Sequence, residues 1–501
     1  MGGTWQPIAP PPSGISTMLL LTDGTILCRA DDGSQAGGKD WWRLSPDSSG
    51  SYIKGGWSKV APMKDSRRYF ASAVLADGRV FVAGGEYSDS GSDLNSAEVY
   101  EPDRDQWIGM VTPPTWTAVG DAPCCVLADG RLLLGSIMSP AAAVLDPASN
   151  GWTATNNKDD VSTEETWTLL PDGAVLTVEC RGHPKAEKYL PGRNAWVSAG
   201  LLPTDLVQSS SLEIGPAVLL PDGRVFAVGA TGHTAFYRPA SLPDQPGNWV
   251  AGPDFPRDPS NTQLAAKDAP ACLLPNGNVL LVVSPVAEGT DGRSYPGPSY
   301  FYELQGTSLV KTPDPSNSNQ PSFAGRLLLL PTGQALFSNG SADVEIYTPD
   351  GTPNPAWHPE ITDCASSLSA GQPYTLRGRQ LNGLSQGVSY GDDVSAATNY
   401  PLVQLKTIAS GRVWYCRTFG HSSMGVATGQ AIVQTTFVVP PTVDNGPAEL
   451  VVIANGIPSA PWSISVGPLR GKGCGPVIGL VASVVILLAV LLVAVLGPWA
   501  I

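Results

Sequence analysis

The stretch SRRYFASAVLADGRVFVAGG, residues 66–85, holds two short apolar runs joined at Asp77-Gly78 and ends on a glycine pair. Asp-Gly between apolar runs is a strong hairpin signal, because the turn needs positive φ and glycine has no Cβ to oppose it. The same signature recurs as LLLTDGTIL (19–27), AVLADGRVFV (73–82), CVLADGRLLL (125–134), LLPDGAVLTV (169–178), LLPDGRVFAV (219–228), LLPNGNVLLV (273–282) and LLPTGQALF (329–337). The turn glycines, Gly24, Gly78, Gly130, Gly173, Gly223, Gly277 and Gly333, are separated by 54, 52, 43, 50, 54 and 56 residues. Seven such hairpins imply seven equivalent units.

Between turns the chain repeats an aromatic-Pro-Asp stretch and then a tryptophan, as in EVYEPDRDQW (98–107), with Trp57, Trp107, Trp152, Trp196 and Trp249 at similar offsets. One large ring per repeat suits packing between blades better than ligand stacking. A period near 50 with four strands per unit fits kelch-type blades, so residues 1–357 are expected to close as a seven-bladed β-propeller. Pairing the strand near Trp5 into the last blade, in preference to the one near Trp357, removes the open edge. Composition agrees with an all-β chain: 55 Gly and 47 Pro against 15% charged residues favour short strands and tight turns over helices.

After Trp357 the turn repeat stops, and alternating strands up to AELVVIANGIPSAPWSISV (448–466) suggest an immunoglobulin-like sandwich over 358–467. A linker, 468–476, leads to residues 477–496, twenty without a charge and fifteen of them Val, Ile or Leu. At ~1.5 Å per residue that run matches the roughly 30 Å hydrocarbon layer, so it reads as a single transmembrane helix and a tail anchor. Arg470 and Lys472 on the propeller side, with no secretory signal in the first 28 residues, place propeller and sandwich in the cytoplasm by the positive-inside rule. A net charge of −14 repels a phosphate backbone and excludes nucleic acid as a natural partner. Eight cysteines without a CxxC give neither a disulfide framework nor a metal spacing; Cys364 and Cys416 fall in the same later domain.

The opening stretch, the segment SFAGRLLLLPTGQALFSNGSADVEIYTPDG (322–351) and GRVWYCRTFGHSSMGVATGQ (411–430) together resemble galactose oxidase and its kelch relatives over residues 1–467. The resemblance implies a propeller whose C-terminal sandwich sends one hairpin through the channel. It also implies a copper site of two tyrosines and two histidines, one tyrosine being cross-linked to a cysteine. By offset from the turn glycines, Tyr69 matches the cross-linked tyrosine, Tyr87 the position of the tryptophan stacked on it, and His421 the histidine on the threading hairpin. Ile15 stands where the cysteine belongs, and Phe323 and Ala324 replace the Tyr-His pair. One tyrosine and one histidine do not satisfy copper(II), so no cofactor and no metal are expected.

Residues about ten before and ten after each turn glycine emerge together at the far end of the hairpins and line one face around the channel. That rim carries Asp31, Asp32, Arg67, Arg68, Tyr69, Tyr87, Glu164, Glu165, Arg181, His183, Glu213, His233, Lys267 and Asp268. It reads either as a solvated mixed-charge rim or as a ligand-binding face, with His421 at the channel mouth. No P-loop, dinucleotide or zinc-protease motif competes. The expectation is a non-catalytic binding or scaffold propeller that offers this face to a protein or glycan; the alternative is an enzyme with a divergent, copper-free site acting on carbohydrates or alcohols.

Overall fold

A computed structural model describes residues 2–286, 295–391 and 394–468. The apolar run 477–496 lies outside the described residues, and so does the linker after residue 468. Among the described residues no helix is long and apolar enough to cross a membrane.

The chain forms seven antiparallel blades. Six follow in order at 14–60, 71–110, 124–154, 168–201, 217–251 and 264–311. The seventh joins Arg326–Leu329, Ala335–Ser338 and Glu345–Thr348 to the N-terminal strand Thr4–Pro7, with Trp5 opposite Tyr347. Closure by the N-terminal strand leaves the ring without a free first blade. In the second blade Gly78 sits at φ +83 and donates to the Leu75 carbonyl at 2.9 Å, while Asp77 Oδ1 accepts from the Arg79 amide at 3.0 Å. This is a three-residue loop with glycine in the left-handed position, and the aspartate fixes the chain that leaves it.

The tryptophans lock neighbouring blades. Trp57 Nε1 donates to the Ala9 carbonyl, Trp107 to Ala61, Trp152 to Val111 and Trp249 to Ala199, each at 2.8–3.1 Å. Each ring therefore satisfies its own polar atom on the preceding blade while it buries area, as expected of packing residues.

Residues 358–467 build an additional curled sheet. Its strands run from Glu360–Cys364 through Pro373–Arg379, Val433–Val438, Val413–Phe419, Leu402–Thr407, Gly446–Ala454 and Trp462–Gly467 to Ser367–Ser369, and Val413–Phe419 changes partner midway, Cys416 lying opposite Val403 and Arg417 opposite Val438. The sheet curls around its own core of Leu376, Val403, Leu405, Phe437 and Leu450. Cys364 and Cys416 are buried there as free thiols.

The curled sheet docks on the turn face of the propeller. The Gly420 amide donates to the Ala76 carbonyl at 3.0 Å, Thr418 to Thr22 at 3.1 Å and Met424 to Ala128 at 2.9 Å. A Cβ on Gly24 would lie 2.4 Å from the Tyr415 ring, so this turn is glycine for close approach as well as for φ. One excursion, 385–400, fills the channel. Its strand Val388–Tyr390 pairs with Pro270–Leu273 of blade six. Gln386 accepts from the Leu169 amide at 2.9 Å, Ser389 from Ala217 at 3.1 Å, and the Tyr390 hydroxyl donates to the Leu327 carbonyl at 2.6 Å. Inner strands of blades four, five, six and seven thus share one plug.

Candidate functional site

With the turn face covered, the opposite face is the open one. Beside blades seven, one and two it holds a cavity of ≈ 410 Å³. Its walls include Arg29, Arg68 and Arg326, with Tyr69, Asp31, Ser16, Asn317 and Asn339 among the remaining groups. Arg29 comes from the strand Ile26–Asp31, Arg326 opens Arg326–Leu329, and Arg68 and Tyr69 lie just before Ala71–Val74.

Charge in this cavity is unbalanced. Arg68 Nη2 donates to both oxygens of Asp31, at 3.0 and 3.2 Å, and Arg29 Nη2 is 3.8 Å from the same carboxylate. Arg326 has only carbonyls as hydrogen-bond partners, Phe323 at 2.8 Å and Gly325 at 2.7 Å, and its guanidinium lies 5.9 Å from the Tyr69 ring and 5.7 Å from the Tyr390 ring. Arg29 and Arg68 therefore share Asp31, Arg326 adds a third guanidinium to the wall, and Asp343 stands at the exposed edge. Arg29 is 2% exposed and Arg326 6%. Burial pulls the Arg29 pKa down to about 10; Asp31 opposes the shift, and the positive Arg68 and Arg326 add to it. Four buried atoms on lining residues have no hydrogen-bond partner: Ser16 Oγ, Arg29 Nε, Asn317 Oδ1 and Arg326 Nε.

Tyr69 is held at φ +49, and Glu164 and Asp268 adopt φ +58 and +46. All three stand nine residues before a turn glycine, so the left-handed kink is a repeat feature that turns the chain into the inner strand. A non-glycine residue there carries strain, which the surrounding fold must hold. The Tyr87 ring meets Tyr69 edge-on at 6.1 Å, and the Arg68 amide donates to the Tyr87 carbonyl at 3.0 Å. The Tyr87 phenol is pushed up to about 12, first by its bond to the Glu86 carboxylate and then by burial.

The remaining sequence-predicted residues disperse. Arg67 does not face the rim: it is fully buried, with Nη2 on Glu98 at 2.8 Å and Nη1 on the Gly84 carbonyl at 2.6 Å. Glu165 is likewise interior, accepting from Lys158 at 3.0 Å, Trp167 Nε1 at 3.0 Å and Thr177 at 3.2 Å. His183 and His233 repeat one motif in consecutive blades, each imidazole Nδ1 on an aspartate, Asp205 at 2.5 Å and Asp254 at 2.9 Å. Glu213 pairs with Lys267, and carboxylate oxygens of Glu164, Glu213 and Asp268 lie within 4.8 Å of one another. Arg181 is exposed on the same rim. His421 is at the other end of the molecule. It follows Gly420, which bonds to Ala76 beside the second-blade turn, and its Nδ1 meets Thr435 at 2.9 Å. Tyr390 is what reaches the channel floor under Arg326.

Arg29 and Arg326 were missed because the rim was taken ten residues from each turn. A signal was present at shorter offsets. Five residues after the turn glycines the chain has Arg29, then Ala83, Gly135, Val178, Val228, Val282 and Ser338; seven before them it has Thr17, Ala71, Pro123, Thr166, Pro216, Pro270 and then Arg326. An arginine in a series of small or apolar channel residues marks a departure from the repeat.

The chain matches the family model described as the Kelch motif at residues 67–114. It is 38% identical over 110 residues to an F-box/kelch-repeat protein of Arabidopsis thaliana, covering 20% of this chain and 26% of that one. It is 31% identical over 110 residues to an N-acetylneuraminate epimerase of Yersinia enterocolitica, 21% of this chain and 27% of the relative. The chain thus spans about a quarter of the length of these curated relatives. Among solved structures, a copper-bound fungal alcohol oxidase of the AA5 family superposes with a TM-score of 0.55 at 14% identity, over 93% of this chain and 99% of that one. The chain is a seven-bladed propeller that carries a Kelch motif at residues 67–114 and shares its fold with that oxidase.

Proposed function

We propose that this kelch propeller is a non-catalytic binding module that engages a protein or glycan partner through its open face, at the cavity of Arg29, Arg68 and Arg326. The observation that carries this reading is the surplus of buried positive charge with orphaned polar atoms in one concave site. Kelch-repeat relatives are commonly protein-binding modules, and relatives named for N-acetylneuraminate, an acidic sugar, support the glycan arm. The apolar run 477–496 would anchor the module at a membrane, with the propeller on the cytoplasmic side. In the test, immobilised protein carrying Arg68→Glu and Tyr69→Ala is compared with wild type for partner capture. Loss of the wild-type partners is expected, and capture of the same set by both proteins overturns the reading. For the anchor, the chain is expected in the alkali-resistant membrane fraction, and release into the supernatant overturns that arm.

The second reading is an enzyme acting on a carbohydrate or alcohol, favoured by the strained Tyr69 beside Tyr87 and Tyr390. Copper does not fit the residues around Tyr69. Phe323 and Ala324 stand at two of the other ligand positions, Ile15 stands where the cross-linking cysteine belongs, His421 is on the far side, and the neighbouring guanidiniums are cations without a lone pair to give. Stoichiometric copper in purified protein, or peroxide released from primary alcohols, would restore the oxidase reading.

A further inference from the structure

We propose that the open-face cavity is an oxyanion site that takes a small, polyhydroxylated acid, its carboxylate, sulfate or phosphoryl group lodged among Arg29, Arg68 and Arg326. The inference deepens the binding-module reading and rests on it. Three observations carry it, and each concerns different atoms.

The first is charge. Elsewhere Arg67 meets Glu98 and Lys158 meets Glu165 and Glu179, while the buried Lys188 has the Gln245 carbonyl. Here two guanidiniums, Arg29 and Arg68, share Asp31, and among the described residues the third, Arg326, has carbonyls alone for hydrogen-bond partners. A desolvated cation without a counter-ion is costly, and an oxyanion from outside removes that cost while making short charge-assisted bonds. The second is hydrogen-bonding capacity. Arg29 Nε and Arg326 Nε are donors with no acceptor, while Ser16 Oγ and Asn317 Oδ1 can accept from hydroxyl groups. A ligand with an anionic end and a hydroxylated body matches both kinds of orphan; a purely apolar ligand matches neither. The third is shape. The ≈ 410 Å³ volume suits a sugar-sized molecule, and Asn319, Gln320, Asn339 and Ser341 complete a polar wall. Tyr69 and Tyr390 flank the Arg326 guanidinium and hold its plane, so the anion meets a pre-set donor and little side-chain freedom is lost on binding.

The test titrates the full chain calorimetrically with glucuronate, glucose 6-sulfate, glucose 6-phosphate and neutral glucose, which differ at a single carbon. At least one acid is expected to bind one-to-one, about tenfold or more tighter than glucose. Its affinity should fall about tenfold in Arg68→Gln and in Arg326→Met. Whichever acid binds best identifies the anionic group. Equal affinity for all four sugars, or acid binding unchanged by both substitutions, overturns the proposal. Arg68→Gln covers the case in which Arg326→Met fails to fold, since Arg68 is part-exposed and bonded through its side chain to Asp31. The two readings fail separately. If no acid binds while the open-face variant still loses its captured partner, the module stands and the oxyanion site falls. If the acid binds in an arginine-dependent way while partner capture is untouched, the module reading falls.

Discussion

Blade four and the junction of blades seven, one and two both bury charge, and they settle it in opposite ways. In blade four the Lys158 ammonium is fully buried against Glu165 at 3.0 Å, Glu179 at 2.5 Å and Glu187 at 3.6 Å. Burial disfavours that charge, but the three carboxylates outweigh it and hold the lysine above its ordinary range. Burial and the neighbouring Glu165 push the Glu179 carboxyl up, and its contact with Lys158 opposes that shift. At the blade seven–one junction the surplus is positive, and among the described residues no second buried carboxylate joins Asp31. A charge cluster closed by its own neighbours is a structural part, whereas one left open in a cavity is arranged for something that arrives.

Lys158→Met breaks this contrast most forcefully, because it strands the glutamates in the interior. It should destabilise the protein by about 3–5 kcal/mol, read as a fall in chemical-denaturation stability. A loss below about 1 kcal/mol would show that the cluster relaxes to solvent or protonates without cost.

The adjacent arginines Arg67 and Arg68 sharpen the same contrast within one dipeptide. Arg67 is enclosed by Glu98, Gly84 and Ser96, so Arg67→Met should cost roughly 3 kcal/mol, against under about 1 kcal/mol for Arg68→Met, whose Asp31 partner is reachable by water. Equal losses would erase the distinction between structural and binding arginines.

His421 settles its charge in a third way, by staying neutral. Burial lowers its pKa to about 4, so between the ordinary histidine value near 6.5 and about 4 the unfolded chain binds a proton that the folded one refuses. Stability contributed here is complete above that window and falls as pH drops through it, by about 1.4 kcal/mol per pH unit. His421→Gln, which keeps a partner for Thr435, should flatten that part of the stability–pH curve; an unchanged slope would place the titrating group elsewhere.

The smallest expected effect has the most telling sign. Arg29→Met removes a buried charge that its surroundings do not balance, so stability should stay level or rise by up to about 1 kcal/mol. A loss of about 3 kcal/mol in thermal or urea unfolding would mean that Asp31 alone balances the cluster.

The propeller was legible because its signal is local and repeated: every Asp-Gly loop needs its glycine, and the recurring tryptophans need an acceptor on the blade before them, a carbonyl for Trp57, Trp107, Trp152 and Trp249 and the Thr155 hydroxyl for Trp196. The face carrying Tyr69 and Arg68 was legible too, since distance from the turn sets height along a hairpin. What distance from the turn does not set is whether a side chain points along the surface or into a blade. Arg67 and Glu165 are one residue from Arg68 and Glu164 in the segments that lead into the inner strands, yet their side chains turn inward to Glu98 and Lys158. The curled sheet and its plug depend on long-range pairing, such as Tyr390 opposite Pro270, which no short window contains. For that reason the sequence points to His421 at the channel, whereas Tyr390 is the residue that reaches the channel floor under Arg326.

The central claim is that the cluster of Arg29, Arg68 and Arg326 is open for an oxyanion. Its most direct measurement is the thermal midpoint of wild type and Arg326→Met in sodium sulfate and in sodium chloride at matched ionic strength. Sulfate should raise the wild-type midpoint by more than that of the variant, because an ion bound only by the folded state adds stability at the site it occupies. An identical sulfate increment in both proteins would contradict the account.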